Sequence, residues 1–230
     1  MNEADVIAFM EEPSRKRLQM RFFMLFHLRC DVRRLEGSAK REAAKYSFYR
    51  RQYIRAAAAL IEGFTAMLKQ NALERPESFS PEELLLLKEQ EPILKENGKV
   101  SLRRQFINIR QNIRFAFETY AKTNGSHFAL DVGGSRWVDL QTLFTVRDRI
   151  THPKNFDDLA ITLGEVKAAH SAVTFISENH AAVLDVMLEK KLKDAGLSED
   201  QIKKFKMYSR EIEPDMTEAD RRSIFQKYFG

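Results

Sequence analysis

A chain of 230 residues with 43% hydrophobic and 31% charged side chains can bury one sizeable core and is too apolar for a disordered polymer. Its nine Gly and six Pro argue against a turn-rich β-sandwich, and the lone Cys30 excludes an intramolecular disulfide framework and a cysteine-cluster zinc site. The net charge of +5 is lopsided: residues 14–55 hold 13 Lys and Arg against 3 Asp and Glu, residues 1–13 contribute −4, and everything after Arg55 sums to −1.

In chain order, residues 1–13 are acidic and lack the cationic start of a signal peptide. Leu18, Phe22, Leu25, Val32 and Leu35 mark one stripe of a basic amphipathic helix. Its most apolar run, residues 22–28, is far shorter than the roughly 20 residues that cross a bilayer. The face holding Phe22, Phe23 and Phe26 either packs onto the body or meets a membrane surface or a protein partner. A second helix is expected over residues 43–72, with Ile54, Ala57, Ile61, Phe64 and Leu68 at helical spacing. Its alanine run, residues 56–59, offers a thin face for close packing.

Ser80 and Glu83 form a capping box that opens a helix through Leu84 and Leu87, and Pro92 and Gly98 mark its end and the following turn. Ser101 is the expected cap of the next helix, whose stripe is Leu102, Phe106, Ile109, Ile113, Phe117 and Tyr120. Residues 124–135 are Gly-rich without the Lys-Ser/Thr ending of a phosphate loop, and within them residues 127–132 are a candidate short strand. A helix over residues 137–151 should stop before Pro153, which biases His152 away from helical angles. Thr162 with Glu165 opens a long helix to about Ala195, closed by Gly196; Ser198 with Gln201 and Thr217 with Asp220 open two short C-terminal helices. The pattern is all-α, an antiparallel helical bundle over residues 40–195 with a basic helical extension (1–39) and a C-terminal helical arm (196–230).

Enzyme motifs of the metalloprotease, hydrolase-elbow and P-loop kinds are absent, and no metal site or cofactor is expected. His27, His170 and His180 read as core or surface helix residues; His127, in the Gly-rich loop, could approach a ligand, but nothing near it in sequence supports that. His152 differs. It lies in Leu143-Phe-Thr-Val-Arg147-Asp148-Arg149-Ile-Thr-His152-Pro-Lys154, a helix end carrying Arg, a polar residue, then His and Pro. This resembles the Arg-x4-6-His signature of HEPN domains (higher eukaryotes and prokaryotes nucleotide-binding), in which a polar residue commonly follows the Arg. The helix with Arg55, the alanines and Glu62 also resembles the family's first core helix.

That resemblance implies a helical bundle pairing as a homodimer, with two Arg/His motifs in one cleft. Active members are metal-independent endoribonucleases, others inactive RNA-binding or dimerisation modules, often in toxin–antitoxin and other defence systems. Lys154 stands where one subset has a modified Tyr, which disfavours pairing with a nucleotidyltransferase. The residue types agree with RNA cleavage independently. Histidine can act as base or acid near neutrality, and arginine stays charged and holds two phosphate oxygens at once. On a continuous helix, residues five apart point roughly 140° away from each other, so Arg147 and His152 converge only where the helix stops.

Arg147, His152 and Asp148 are therefore the candidate catalytic set; Asp148 either orients Arg147 or a partner histidine, or sits in solvent. Arg149 and Lys154 are the candidates for flanking phosphates, and Arg103, Arg110 and Arg114 for a longer phosphate track, with a solvated helix face as the alternative. Glu62 reads equally as the buried partner of an arginine and as a plain polar-face residue. The expected partners are RNA, a second copy of the chain and an acidic antitoxin-like protein, in the cytoplasm. A helix-end ion-pair cluster without turnover is the competing reading.

Overall fold

The computed structural model describes residues 13–40, 47–123, 125–211 and 216–229. The described residues form helices α1 (Pro13–Ala39), α2 (Ser47–Ala72), α3 (Pro81–Leu87), α4 (Ile109–Lys122), α5 (Ser135–Thr151), α6 (Leu163–Asp194), α7 (Glu199–Glu211) and α8 (Glu218–Phe229), with two short 3-10 turns. One hairpin of β1 (Gln90–Leu94) and β2 (Val100–Arg104) interrupts them. The described residues are all-α apart from this hairpin. None of the described helices is long and apolar enough to cross a membrane.

α2 is the central helix of the first unit. Its expected stripe of Ile54, Ala57, Ile61, Phe64 and Leu68 is buried, and α1, α4 and α5 pack around it. Each fully buried Ile or Leu contributes about 1.5–3 kcal/mol of transfer free energy. α1 runs antiparallel to α2: Arg50 Nε donates to the Ala39 carbonyl at one end, while Gly63 faces Leu25 and Leu28 further along. A Cβ on Gly63 would stand 3.0 Å from a Leu28 methyl, so glycine lets the two helices approach here. On α1, Leu25 and Val32 are buried, Leu35 is half-buried, and Met24 and Phe26 remain exposed. The side chains of Leu18, Phe22 and Phe23, and the expected helix start at residues 43–46, lie outside the described residues.

The capping boxes at Ser80/Glu83 and Thr162/Glu165 form with reciprocal hydrogen bonds. Ser198 with Gln201 and Thr217 with Asp220 do the same. The Gly196 turn adopts a φ of +81°, which suits a residue without a Cβ.

The segment after α3 departs from the sequence reading. Residues 90–104 form an antiparallel hairpin, with Gln90 opposite Arg104 and Leu94 opposite Val100. Its tip uses Asn97-Gly98, with Gly98 at φ +74° and the Asn97 side chain accepting from the Lys99 N–H. The next helix therefore starts at Ile109, capped by Asn108 and not by Ser101. Ile113, Phe117 and Tyr120 are buried as expected, whereas Leu102 and Phe106 fall outside the helix and are exposed. Residues 127–132 form no strand.

An ion pair between a buried lysine and a half-buried carboxylate fixes the hairpin's root. Lys69 is 3% exposed, and its Nζ donates to Glu89 Oε1 at 3.1 Å and Asn112 Oδ1 at 2.9 Å. Burial holds the Lys69 ammonium below its usual range despite Glu89. For Glu89, burial works upward, but Lys69, Asn112 and Arg104 outweigh it and hold the carboxyl below the usual range.

The chain divides into two compact units, Met1–Ala181 and Ala182–Gly230, with the division inside α6. In the second unit, Ile202 and Phe205 of α7 are buried together with Met187 and Leu192 of α6. Lys206 bridges Asp185 and Glu189, and Glu211 holds Lys227 and Tyr228 of α8.

Candidate active site

The site is built at the C-terminal end of α5, where that helix crosses α2 in the antiparallel sense. Leu140, Leu143, Phe144, Val146 and Ile150 are buried and set the helix on the core. This packing turns Arg147 toward α2. Its Nη2 donates to Glu62 Oε1 at 2.7 Å, and its Nη1 stands 3.3 Å from Asp148 Oδ1. The guanidinium also lies 5.3 Å from the centre of the Phe144 ring, a cation–π distance. Arg147 Nε is buried without a partner. Glu62 is thus the partner of an arginine, but not a buried one: its side chain is 44% exposed.

α5 stops where Pro153 requires. Thr151 is its last residue, and His152 has φ −125° and ψ 60°, outside the helical region, while its N–H still donates to the Asp148 carbonyl at 3.0 Å. The imidazole is exposed and makes no hydrogen bond or ion pair with a described residue. Arg147 is thus anchored and half-buried, and His152 is free to meet a ligand one turn further on.

The loop after His152 is closed on itself and tied down. Asp158 accepts from the backbone N–H groups of Lys154 and Asn155 at 2.7 and 3.1 Å, and Asn155 caps Asp158 in return. Arg149 donates to the carbonyls of Asp158 and Ala160 and pairs with Glu165 at 2.9 Å. Burial works upward on Glu165, but the Thr162 N–H and Arg149 outweigh it and hold the carboxyl below the usual range. From α2, Arg55 donates to the Ile150 carbonyl, Arg51 to Leu159 and Arg50 to Ile161. Four arginines thus hold the segment that frames His152. The α2 members of that set lie in the basic stretch, where no motif marks them as site residues; the signal available was a helix face repeating Arg.

The remaining candidates scatter. Lys154 is exposed beside His152. Arg110 and Arg114 are exposed on α4, and their side chains make no hydrogen bond or ion pair with described residues. Arg103 does not share their helix: it stands on β2 and pairs with Glu91 across the hairpin, because the residues before Asn108 are extended. His127 and His170 lie elsewhere, His170 beside Glu36 of α1 at 3.1 Å. Among the described residues no group of His, Cys, Asp and Glu side chains is arranged to hold a metal ion. No protein-family model, no curated protein and no solved structure matches the chain.

Proposed function

We propose that the chain is a metal-independent endoribonuclease of the Arg-x4-His type, cutting single-stranded or loop RNA by attack of the 2′-hydroxyl on the adjacent phosphodiester. One His152 would take the proton from the 2′-hydroxyl as it attacks phosphorus. A second would protonate the departing 5′-oxygen, leaving a 2′,3′-cyclic phosphate. One chain supplies a single histidine of this kind, so the site is composite, formed by two copies. Arg147 neutralises the charge that builds on the phosphorane oxygens. Asp148 is 66% exposed and holds Arg147 at the longer distance, so a phosphate displaces Asp148 and leaves Glu62 in place as the positioning residue.

The observation that carries this reading is the helix end itself: α5 terminates so that His152 leaves the helical path while Glu62 fixes Arg147. Lys154 and the arginines of α1 that make no hydrogen bond or ion pair with a described residue, Arg29, Arg33 and Arg34, would supply strand affinity. Arg147→Ala should lower RNA cleavage at least about 100-fold while the protein stays folded. Unchanged cleavage would remove Arg147 from the mechanism.

A second reading follows from one feature. In the isolated chain both terminal nitrogens of Arg147 face carboxylates, which suits a helix-end clamp in a non-catalytic RNA-binding or dimerisation module. Strongly salt-dependent RNA binding by a folded dimer, with no cleavage, would favour it.

A further inference from the structure

The α2 face that carries Glu62 continues backward through Ala59, Arg55 and Gln52, spaced three and four residues apart, so these side chains share one stripe. Apart from Glu62, the stripe forms one wall of a groove of about 460 Å³, within the range of small-ligand sites; α1 supplies the other wall. Arg55 joins the groove to the candidate active site, since its Nη2 donates at 3.2 Å to the Ile150 carbonyl, two residues before His152. The groove is apolar at Leu28, Leu35, Ala56 and Ala59. Besides Arg55, its polar groups are the Asp31 carboxylate, the Gln52 amide and the Arg34 guanidinium, and none of these three makes a hydrogen bond or ion pair with a described residue.

We propose that this groove binds a guanine base of the RNA, next to the bond that is cut; the inference rests on the ribonuclease reading above. A carboxylate offers two acceptor oxygens side by side. Among the RNA bases, only guanine presents two adjacent donors on its Watson–Crick edge, N1–H and the N2 amino group. Adenine and cytosine set a donor beside an acceptor, and uracil has a single N–H between two carbonyls. Asp31 therefore takes two parallel charge-assisted hydrogen bonds from guanine and meets a lone pair with any other base. The Gln52 amide can donate to O6, the apolar side chains accept the base face, and Arg34 or Arg55 can stack on it. The two arginines also offset the repulsion between Asp31 and the strand.

The test uses the full-length His152→Ala chain, which removes turnover, and short fluorescein-labelled oligouridines carrying one central guanosine, inosine or adenosine. Guanosine should bind roughly tenfold tighter than adenosine, with inosine, which lacks the N2 amino group, in between. Adding Asp31→Asn, on an exposed helix position, should erase the difference. Equal affinities, or a guanosine preference that survives Asp31→Asn, would overturn the groove assignment and leave the RNA reading standing. Failure of every oligomer to bind at low salt would overturn both.

Discussion

Arg50, Arg51 and Arg55 on α2 direct their guanidinium groups at backbone carbonyls of Ala39, Ile150, Leu159 and Ile161, whereas Arg29, Arg33 and Arg34 on α1 make no hydrogen bond or ion pair with a described residue. Both sets belong to the same basic stretch, which carries the whole positive excess of the chain. The difference teaches that charge count and available charge are separate quantities. Cations on a helix packed beside a loop become its hydrogen-bond donors, and cations on an outer helix stay open to a polyanion. Captured cations should therefore register in stability and free cations in binding.

The largest effect is expected at the most deeply captured cation. Lys69→Ala leaves a cavity and strips Glu89 and Asn112 of their buried donor, which should cost about 3 kcal/mol in denaturant unfolding. A loss below about 0.5 kcal/mol would mean that the ion pair at the hairpin's root is dispensable. Arg149→Ala comes next. It removes two hydrogen bonds and an ion pair from the loop behind His152, for about 2 kcal/mol and a melting temperature lower by about 4–8 °C. Arg34→Ala, by contrast, should leave the melting temperature unchanged.

Joint replacement of Arg29, Arg33 and Arg34 by Ala should flatten the dependence of log RNA affinity on log salt by about 0.7 for each phosphate that is no longer neutralised. The same salt slope after Arg51→Ala should hold, and a reversal of the two results would break the comparison. The pH dependence of stability turns on a neutral group, His180, 5% exposed, whose Nε2 has no partner. Burial first, and the positive charge of Arg29 second, push its imidazole down to about 4. The folded state thus stays neutral there while the unfolded chain takes up a proton below about 6.5, so stability should fall as pH drops from about 6.5 to 4. His180→Leu should remove that part of the pH dependence, seen as a flatter curve of unfolding free energy.

Helix identity was legible because burial repeats along α2, α4 and α6 and because each capping box announces its helix. The start of α4 was not, since Leu102 and Phe106 happen to continue its spacing of three and four residues. The Asn97-Gly98 turn with Val100 and Leu102 in alternation carried the competing strand signal, and the hairpin wins because Lys69 and Asn112 grip Glu89 at its root. Within the candidate site, the break at His152 followed from Pro153 alone. Glu62 could be named as a candidate partner of an arginine, but its pairing with Arg147 could not, because the two lie 85 positions apart in sequence and only the α2–α5 crossing brings them together. The tethering role of Arg149 was equally hidden, as two of its acceptors are backbone carbonyls, which every residue type carries.

If His152 at the open end of α5 cuts RNA, it should do so without a metal. Purified protein and the His152→Ala variant should be incubated with a mixed RNA pool in EDTA and the fragment ends analysed. The unaltered protein should give fragments with 2′,3′-cyclic phosphate ends and the variant none. Equal cleavage by both proteins, or intact RNA with both folded and dimeric, would contradict it.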